Sequence, residues 1–310
     1  MCFWGGEKTG WCTERSIVLG FVQVSPEGTW RMTNTQSVKD AAQAAGITLI
    51  YRVGTNNYTN QIREMEELID MGVDVLAFSP SQVNGWDTIL EETRRFDIPV
   101  IVLDRAIDVT DPSLYVTHIG SDMIEEGRRA ARWLVAYMQR ENRGDQPVRI
   151  VVLEGVKGST PAVYRDKGFR EVLAAYPNYT IVDSKPADYI FSKGEEVMSE
   201  FLKSTHGAID VVFAHNDEMA LGAVEAIKQY GKKPGTDIVV IGVDAIKKAF
   251  EAIMAGDMNA TIECSPLLGP QLMDAVKDIV AGKSVPKRIV TVEQDFDATN
   301  ATEAYPDRVY

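Results

Sequence analysis

Apolar runs of strand length alternate with segments of helical period from residue 16 to residue 292. Strands read at 16–22, 47–53, 73–78 and 98–103, with helices between them at 31–45, 60–71 and 86–96. In the second of these helices Ile62, Met65, Leu68 and Ile69 share one face, and Gly46 and Gly72 stand where helices stop. Strands alternating with helices of this length predict parallel sheets with right-handed crossovers. The rhythm pauses at 108–121 and then resumes. Helices follow at 125–139, 160–175, 192–204, 216–230, 246–255 and 266–281, and strands at 148–153, 179–183, 209–214, 237–243, 260–263 and 287–292. That is too much for one sheet. The expected fold is α/β, two doubly wound parallel-sheet lobes joined by a three-segment hinge. Breaks in the rhythm put the crossings near 118–121, 264–265 and 282–286. The lobes are then 16–118 with 265–283, and 119–264 with 284–296; 1–15 is a flexible lead-in and 297–310 a tail laid over the surface.

In open α/β sheets a ligand sits beyond the carboxyl ends of the strands. The run Ile98-Pro99-Val100-Ile101-Val102-Leu103 reads as a buried central strand, and it ends in Asp104-Arg105. A carboxylate that accepts and a guanidinium that donates in a fixed fork suit a polyhydroxylated ligand. From these two residues alone, an ordinary strand-end ion pair is an equal alternative. Other strand ends offer residues 23–31, Ser79-Pro80, Glu154-Gly155, His215-Asn216-Asp217 and Asp244. Two lobes with such edges facing each other make a wet cleft able to close on a sugar.

Charge and composition remove several classes. The chain has 310 residues and a net charge of -13. Nucleic acid needs a basic footprint, and an anionic membrane surface would repel this charge. No apolar run approaches a membrane span, and no signal-peptide core is visible at the start. Cys2, Cys12 and Cys264 do not form a metal motif, and His118, His206 and His215 are scattered, so no metal and no cofactor is expected. Cys2 is open to three readings: a lipid-bearing residue, a partner of Cys12, or a plain terminal thiol. There is no phosphate loop and no nucleophile–base pairing, which argues against an enzyme. Residues 1–15 are too short and not basic enough for the helix-turn-helix of a regulator.

Five stretches carry a family resemblance: Leu103-Asp104-Arg105, Tyr164-Arg165-Asp166-Lys167-Gly168-Phe169, Ala187-Asp188-Tyr189, Ala214-His215-Asn216-Asp217-Glu218-Met219, and Ile241-Gly242-Val243-Asp244. In this order, and at these places in the α/β pattern, they resemble the periplasmic sugar-binding proteins of the ribose/galactose type, the solute receptors of ABC importers. Within that family the chain is most similar to the galactofuranose type. The matching stretches are Gly28-Thr29-Trp30-Arg31, Asn60-Gln61-Ile62, Gly85-Trp86, Ile107-Asp108-Val109 and Ser192-Lys193-Gly194. Ribose-type receptors carry two aromatics near the position of Trp30-Arg31.

The resemblance implies the type I periplasmic binding protein fold, no catalysis, a membrane permease as partner, a monomer, and a location in the periplasm or on the outer face of the membrane. Carried over by position, the ligand shell is Glu27, Trp30, Arg31, Asp104 and Arg105 from the first lobe, and Arg165, Asn216 and Asp244 from the second. Tyr189 falls where the family often places an aromatic. Cys264 stands where ribose-type receptors carry Gln, so adjacent Glu263 or the backbone replaces it. Ser25-Pro26 departs from the galactofuranose type. One aromatic platform beside a guanidinium fork favours a furanose over a pyranose. The alternatives are a pyranose receptor and a chemoreceptor-coupled sugar sensor.

Each site residue also has a structural reading. Trp30 can anchor its helix in the core, and Arg165 can pair with Asp166 or Glu171. Asn216 and Asp244 can cap the helices that follow them. His118 is expected to be structural.

Overall fold

The computed structural model describes residues 15–25 and 28–310. Glu27, Cys2, Cys12 and the lead-in up to residue 14 lie outside the described residues. No described helix is long and apolar enough to cross a membrane.

The first sheet takes β1 (Val18–Gln23), β2 (Thr48–Val53), β3 (Val75–Phe78), β4 (Val100–Leu103), β5 (Thr117–Gly120) and β11 (Arg288–Val290), in the order β11-β5-β4-β3-β1-β2. Every neighbouring pair is parallel. Strands β3 and β4 are buried along their whole length, as parallel strands covered by helices on both faces must be. One face is covered by α1 (Thr29–Ala45) and α9 (Gly269–Val280), which meet through Val38, Ala42, Leu272 and Met273. The other face is covered by α2 (Tyr58–Asp70) and α3 (Asp87–Arg95), around Met65, Leu68, Phe78 and Trp86.

The second sheet takes β6 (Val148–Glu154), β7 (Tyr179–Pro186), β8 (Val211–Ala214), β9 (Val239–Asp244), β10 (Ala260–Glu263) and β12 (Asp295–Asp297), in the order β12-β10-β9-β8-β6-β7. Only β12 runs antiparallel, against β10. Helices α4 (Met123–Arg140) and α5 (Thr160–Leu173) cover one face. The other carries α6 (Phe191–Ser204), α7 (Asp217–Gln229) and α8 (Lys247–Ala255).

Three sequence expectations change. The paused stretch hides β5, which is short and half polar and so shows no strand run. The strand expected at 287–292 stands in the first sheet, where Arg288–Val290 pairs with β5 rather than with the second lobe. The third crossing therefore lies at 291–294, between β11 and β12, and not at 282–286. A three-residue strand carries no signal for which sheet edge it will join. The expected surface tail is also built in: β12 completes the second sheet, Ala301–Ala304 forms a helical turn (α10), and Tyr310 is buried with its backbone carbonyl on the Lys247 N–H.

A candidate ligand cleft between the lobes

The carboxyl ends of β1, β3 and β4 face those of β8 and β9. Between them is a small cavity lined by Trp30, Arg31, Asp104, Arg105, Pro161, Arg165, Tyr189, Asn216, Asp244 and Cys264.

Asp104 follows β4 with φ of 65°, and Asp244 ends β9 with φ of 120°. Tyr189 has φ of 65°. Non-glycine residues avoid this region unless the surroundings over-determine it, and such residues cluster at ligand clamps. The restraints here are visible. The Asp104 N–H donates to Ile119 O at 2.7 Å, and the Asp104 carbonyl meets His118 Nε2 at 2.8 Å. The Tyr189 carbonyl accepts from Asn216 Nδ2 at 3.3 Å, and its hydroxyl lies 3.0 Å from Ser159 Oγ. Gly155 makes room for the ring: a Cβ there would sit 1.9 Å from a Tyr189 ring carbon.

On the first-lobe side, Arg31 places Nη2 2.6 Å from Asp104 Oδ2 and Nη1 3.2 Å from Ser79 Oγ. Its guanidinium lies over the Trp30 ring, 4.6 Å from the centroid. The ion-pair partner of Asp104 is thus Arg31 and not its neighbour Arg105. The Trp30 indole N–H donates across the cleft to Cys264 O at 2.6 Å. Thr29 Oγ1 reaches Glu218 Oε1 at 2.9 Å, and Ala106 N reaches Thr160 Oγ1 at 3.3 Å. These bonds between lobes describe a closed cleft.

On the second-lobe side, Arg165 is held from behind. Its Nε lies 2.6 Å from Glu126 Oε2, its Nη1 donates to His215 O at 2.5 Å, and its Nη2 lies 3.6 Å from Asp244 Oδ1. The sequence alternatives for Arg165 fall away, because Asp166 pairs with Arg170 and Glu171 with Arg128. Glu126 reaches Arg165 because α4 and α5 touch backbone to backbone. A Cβ on Gly168 would lie 1.9 Å from Ile124 O, and one on Gly127 2.1 Å from Arg165 O. Burial works against the Arg165 charge, and Glu126, Cys264 and Asp244 more than offset it. Burial pushes the Asp244 carboxyl well up, opposed by Arg165.

Asn216 does cap α7: its Oδ1 accepts from Met219 N at 3.0 Å. Asp244 does not cap α8. α8 has no side-chain cap; Asp217 instead accepts from the N–H of Ile246, the residue just before the helix, at 2.9 Å, and burial pushes its carboxyl up to about 7. Glu263 leaves the predicted shell. Its carboxylate binds Arg308 at 2.7 Å and the Gln294 N–H at 3.0 Å, away from the cavity. Strand alternation turns Glu263 to one face and Cys264 to the other. Reasoning from sequence missed Pro161, which carries no polar signal, and Glu126, whose pairing with Arg165 joins two helices.

Burial holds His118 down to about 4 and His215 down to about 3. Both imidazoles should stay neutral well below the usual histidine range. The expected result is that their C2–H resonances show no protonation shift between pH 7.5 and about pH 5; a midpoint near 6.5 for either would contradict the packing around it.

Comparison with known proteins agrees with this geometry. Residues 19–284 match the model of the periplasmic binding protein domain. The galactofuranose-binding protein YtfQ of Escherichia coli (strain K12) is 37% identical over 275 residues, covering 88% of this chain and 85% of that protein. A crystal structure from Mycobacterium smegmatis in complex with β-D-fucofuranose is 47% identical with a TM-score of 0.90, covering 94% of this chain and 95% of that one. The periplasmic component of the arabinose ABC transporter of Shewanella sp. ANA-3, bound to α- and β-L-arabinofuranose, is 40% identical with a TM-score of 0.89, covering 94% and 95%.

Proposed function

Since this chain belongs to the periplasmic binding protein domain family, we propose that it is the extracytoplasmic receptor of an ABC sugar importer, holding a monosaccharide furanose in its cleft. It is a sugar receptor and not an enzyme. The observation that carries this reading is the convergence of Asp104, Arg105, Arg165, Asn216 and Asp244, one set from each lobe, on one cavity walled by Trp30 and Tyr189. Charged donors and acceptors paired with aromatic faces serve a sugar, which has hydroxyls at its edge and C–H groups on its faces.

Glu27, Trp30, Arg31 and Tyr189 complete the proposed shell. Trp30 gives the ring a face, and the guanidinium beside it replaces a second aromatic with donors. A five-membered ring with a hydroxylated arm uses that arrangement better than a flat pyranose between two aromatics. We take the working form to be a monomer that delivers its sugar to a membrane permease, with Cys2 as the residue for any lipid anchor.

The lobes hinge at 121–122, 264–268 and 291–294. A ligand touching both lobes stabilises the closed form by its differential affinity. Calorimetric competition should show D-galactofuranose or L-arabinose beating D-glucose at least about tenfold, because a site built on specific hydrogen bonds rejects ligands that leave its groups unpaired. Small-angle scattering on the same samples should show compaction at saturation. Equal binding of glucose would remove the furanose reading, and a bound sugar without compaction would remove closure.

A further inference from the structure

Beside the cleft, where Cys264 also lines the cavity, lies a cluster of side chains that the proposed sugar shell does not name. Glu126 on α4, Cys264 after β10 and Glu293 between β11 and β12 each bring one ligand-type atom within 4.8 Å of the other two. Glu126 and Cys264 are each 1% exposed. Glu126 gives Oε2 to Arg165, while its buried Oε1 has no hydrogen-bond partner. An unpartnered buried carboxylate oxygen is costly and calls for a partner. Glu293 is saturated on one oxygen only: Oε1 accepts from Ser121 Oγ at 2.5 Å, Thr291 Oγ1 at 2.7 Å and Ser265 N at 2.9 Å. Among the described residues no basic side chain forms an ion pair with its carboxylate. Arg129, close by, binds Asp295 at 2.6 Å and only the backbone carbonyl of Glu293, at 3.0 Å. Among the described residues, Arg165 is the one cation paired with both Glu126 and Asp244.

We propose that Glu126, Cys264 and Glu293 form a binding site for a thiophilic divalent cation, Zn²⁺ by preference, at the hinge. One thiolate with two carboxylate oxygens is a donor set that Zn²⁺ accepts, and Ser121 Oγ, 3.3 Å from Cys264 Sγ, or a water can fill a fourth position. Tetrahedral zinc ligands stand about 3.5 Å apart, so the three atoms need shifts of only about 1 Å to close on the ion. Binding replaces the thiol proton by the metal: the S–H bond breaks, an S–metal bond forms, and the proton leaves to solvent. The site joins the second-lobe helix α4 to two of the three crossings, and Ser121 adds the third. A bound ion would therefore brace the hinge independently of any sugar in the cleft.

The test uses the full chain with Cys2→Ser and Cys12→Ser, so that Cys264 is the remaining thiol, titrated with Co²⁺ in the absence of sugar. The expected result is a thiolate-to-cobalt charge-transfer band that saturates at one equivalent, with release of at least one proton and a rise in melting temperature. Competing Zn²⁺ should abolish the band. Cys264→Ser should also abolish it, and Glu293→Gln should weaken binding at least about tenfold. No band at millimolar Co²⁺, or a band that survives Cys264→Ser, would overturn the site. Should Cys264→Ser fail to fold, Glu293→Gln decides: unchanged cobalt affinity rejects the proposal. No step depends on sugar, so failure here and failure of the receptor reading remain separate.

Discussion

Arg165→Ala is expected to destabilise the folded protein by about 3–5 kcal/mol, the cost of removing one partner from a buried ion pair. Arg165 is 3% exposed, and its guanidinium meets Glu126, the His215 carbonyl and Asp244. Alanine strands Glu126 without its cation beneath α5 and leaves the His215 carbonyl without its donor. For a domain of this size that corresponds to a fall in melting temperature of roughly 10 °C. Arg165→Lys keeps the charge but loses the fork that serves several partners at once, so an intermediate loss is expected. The same residue faces the cavity, so Arg165→Lys should also bind sugar more weakly than the parent. Thermal melts of the two variants check the order. An alanine variant as stable as the parent would mean that Arg165 is not held as described.

Asp244→Ala should have its main effect on binding. Asp244 is 5% exposed at the end of β9, with its carboxylate lining the cavity. A hydrogen bond to a charged group is worth about 1.5–3 kcal/mol, so affinity should fall roughly 10- to 150-fold. Its fold should survive, because burial already disfavours the charge at this position. Asp244→Asn separates charge from shape: it keeps an acceptor and should recover part of the loss. Arg105→Ala on the opposite wall should weaken binding by a similar factor. Calorimetry with L-arabinose and D-galactose measures all three, and unchanged affinity in any one removes that residue from the shell.

Much of this was legible in the sequence because strand ends are legible. A buried parallel strand is a continuous apolar run, and the residue where the run stops is the residue presented to the cleft. Asp104, Arg105 and Asp244 stand out by that rule alone. Asn216, just past the end of β8, was offered by the same rule, whereas Arg165 and Tyr189 needed the family resemblance, since a helix or loop residue carries no comparable mark. What stayed hidden was set by pairing between distant segments. Strands β5 and β11 are short and find each other only in the folded chain. Glu126 looks like any acidic residue in a helical first turn until Gly127 and Gly168 let α4 and α5 touch. Glu263 and Cys264 are adjacent, and the face each takes depends on the register of β10. Asp217 replaces Asp244 as the group bonded to the residue just before α8, a choice invisible without the approach of α7 to β9.

The claim at the centre of this account is that the cleft holds a furanose. Free L-arabinose and D-galactose interconvert among ring forms in water, and the anomeric carbon resonates at different positions in furanose and pyranose rings. Carbon-13 spectra of each labelled sugar, taken with an equimolar amount of this protein, report which form is bound. The account predicts slow-exchange anomeric signals in the furanose range, lost on Asp244→Ala. Bound signals in the pyranose range would contradict it.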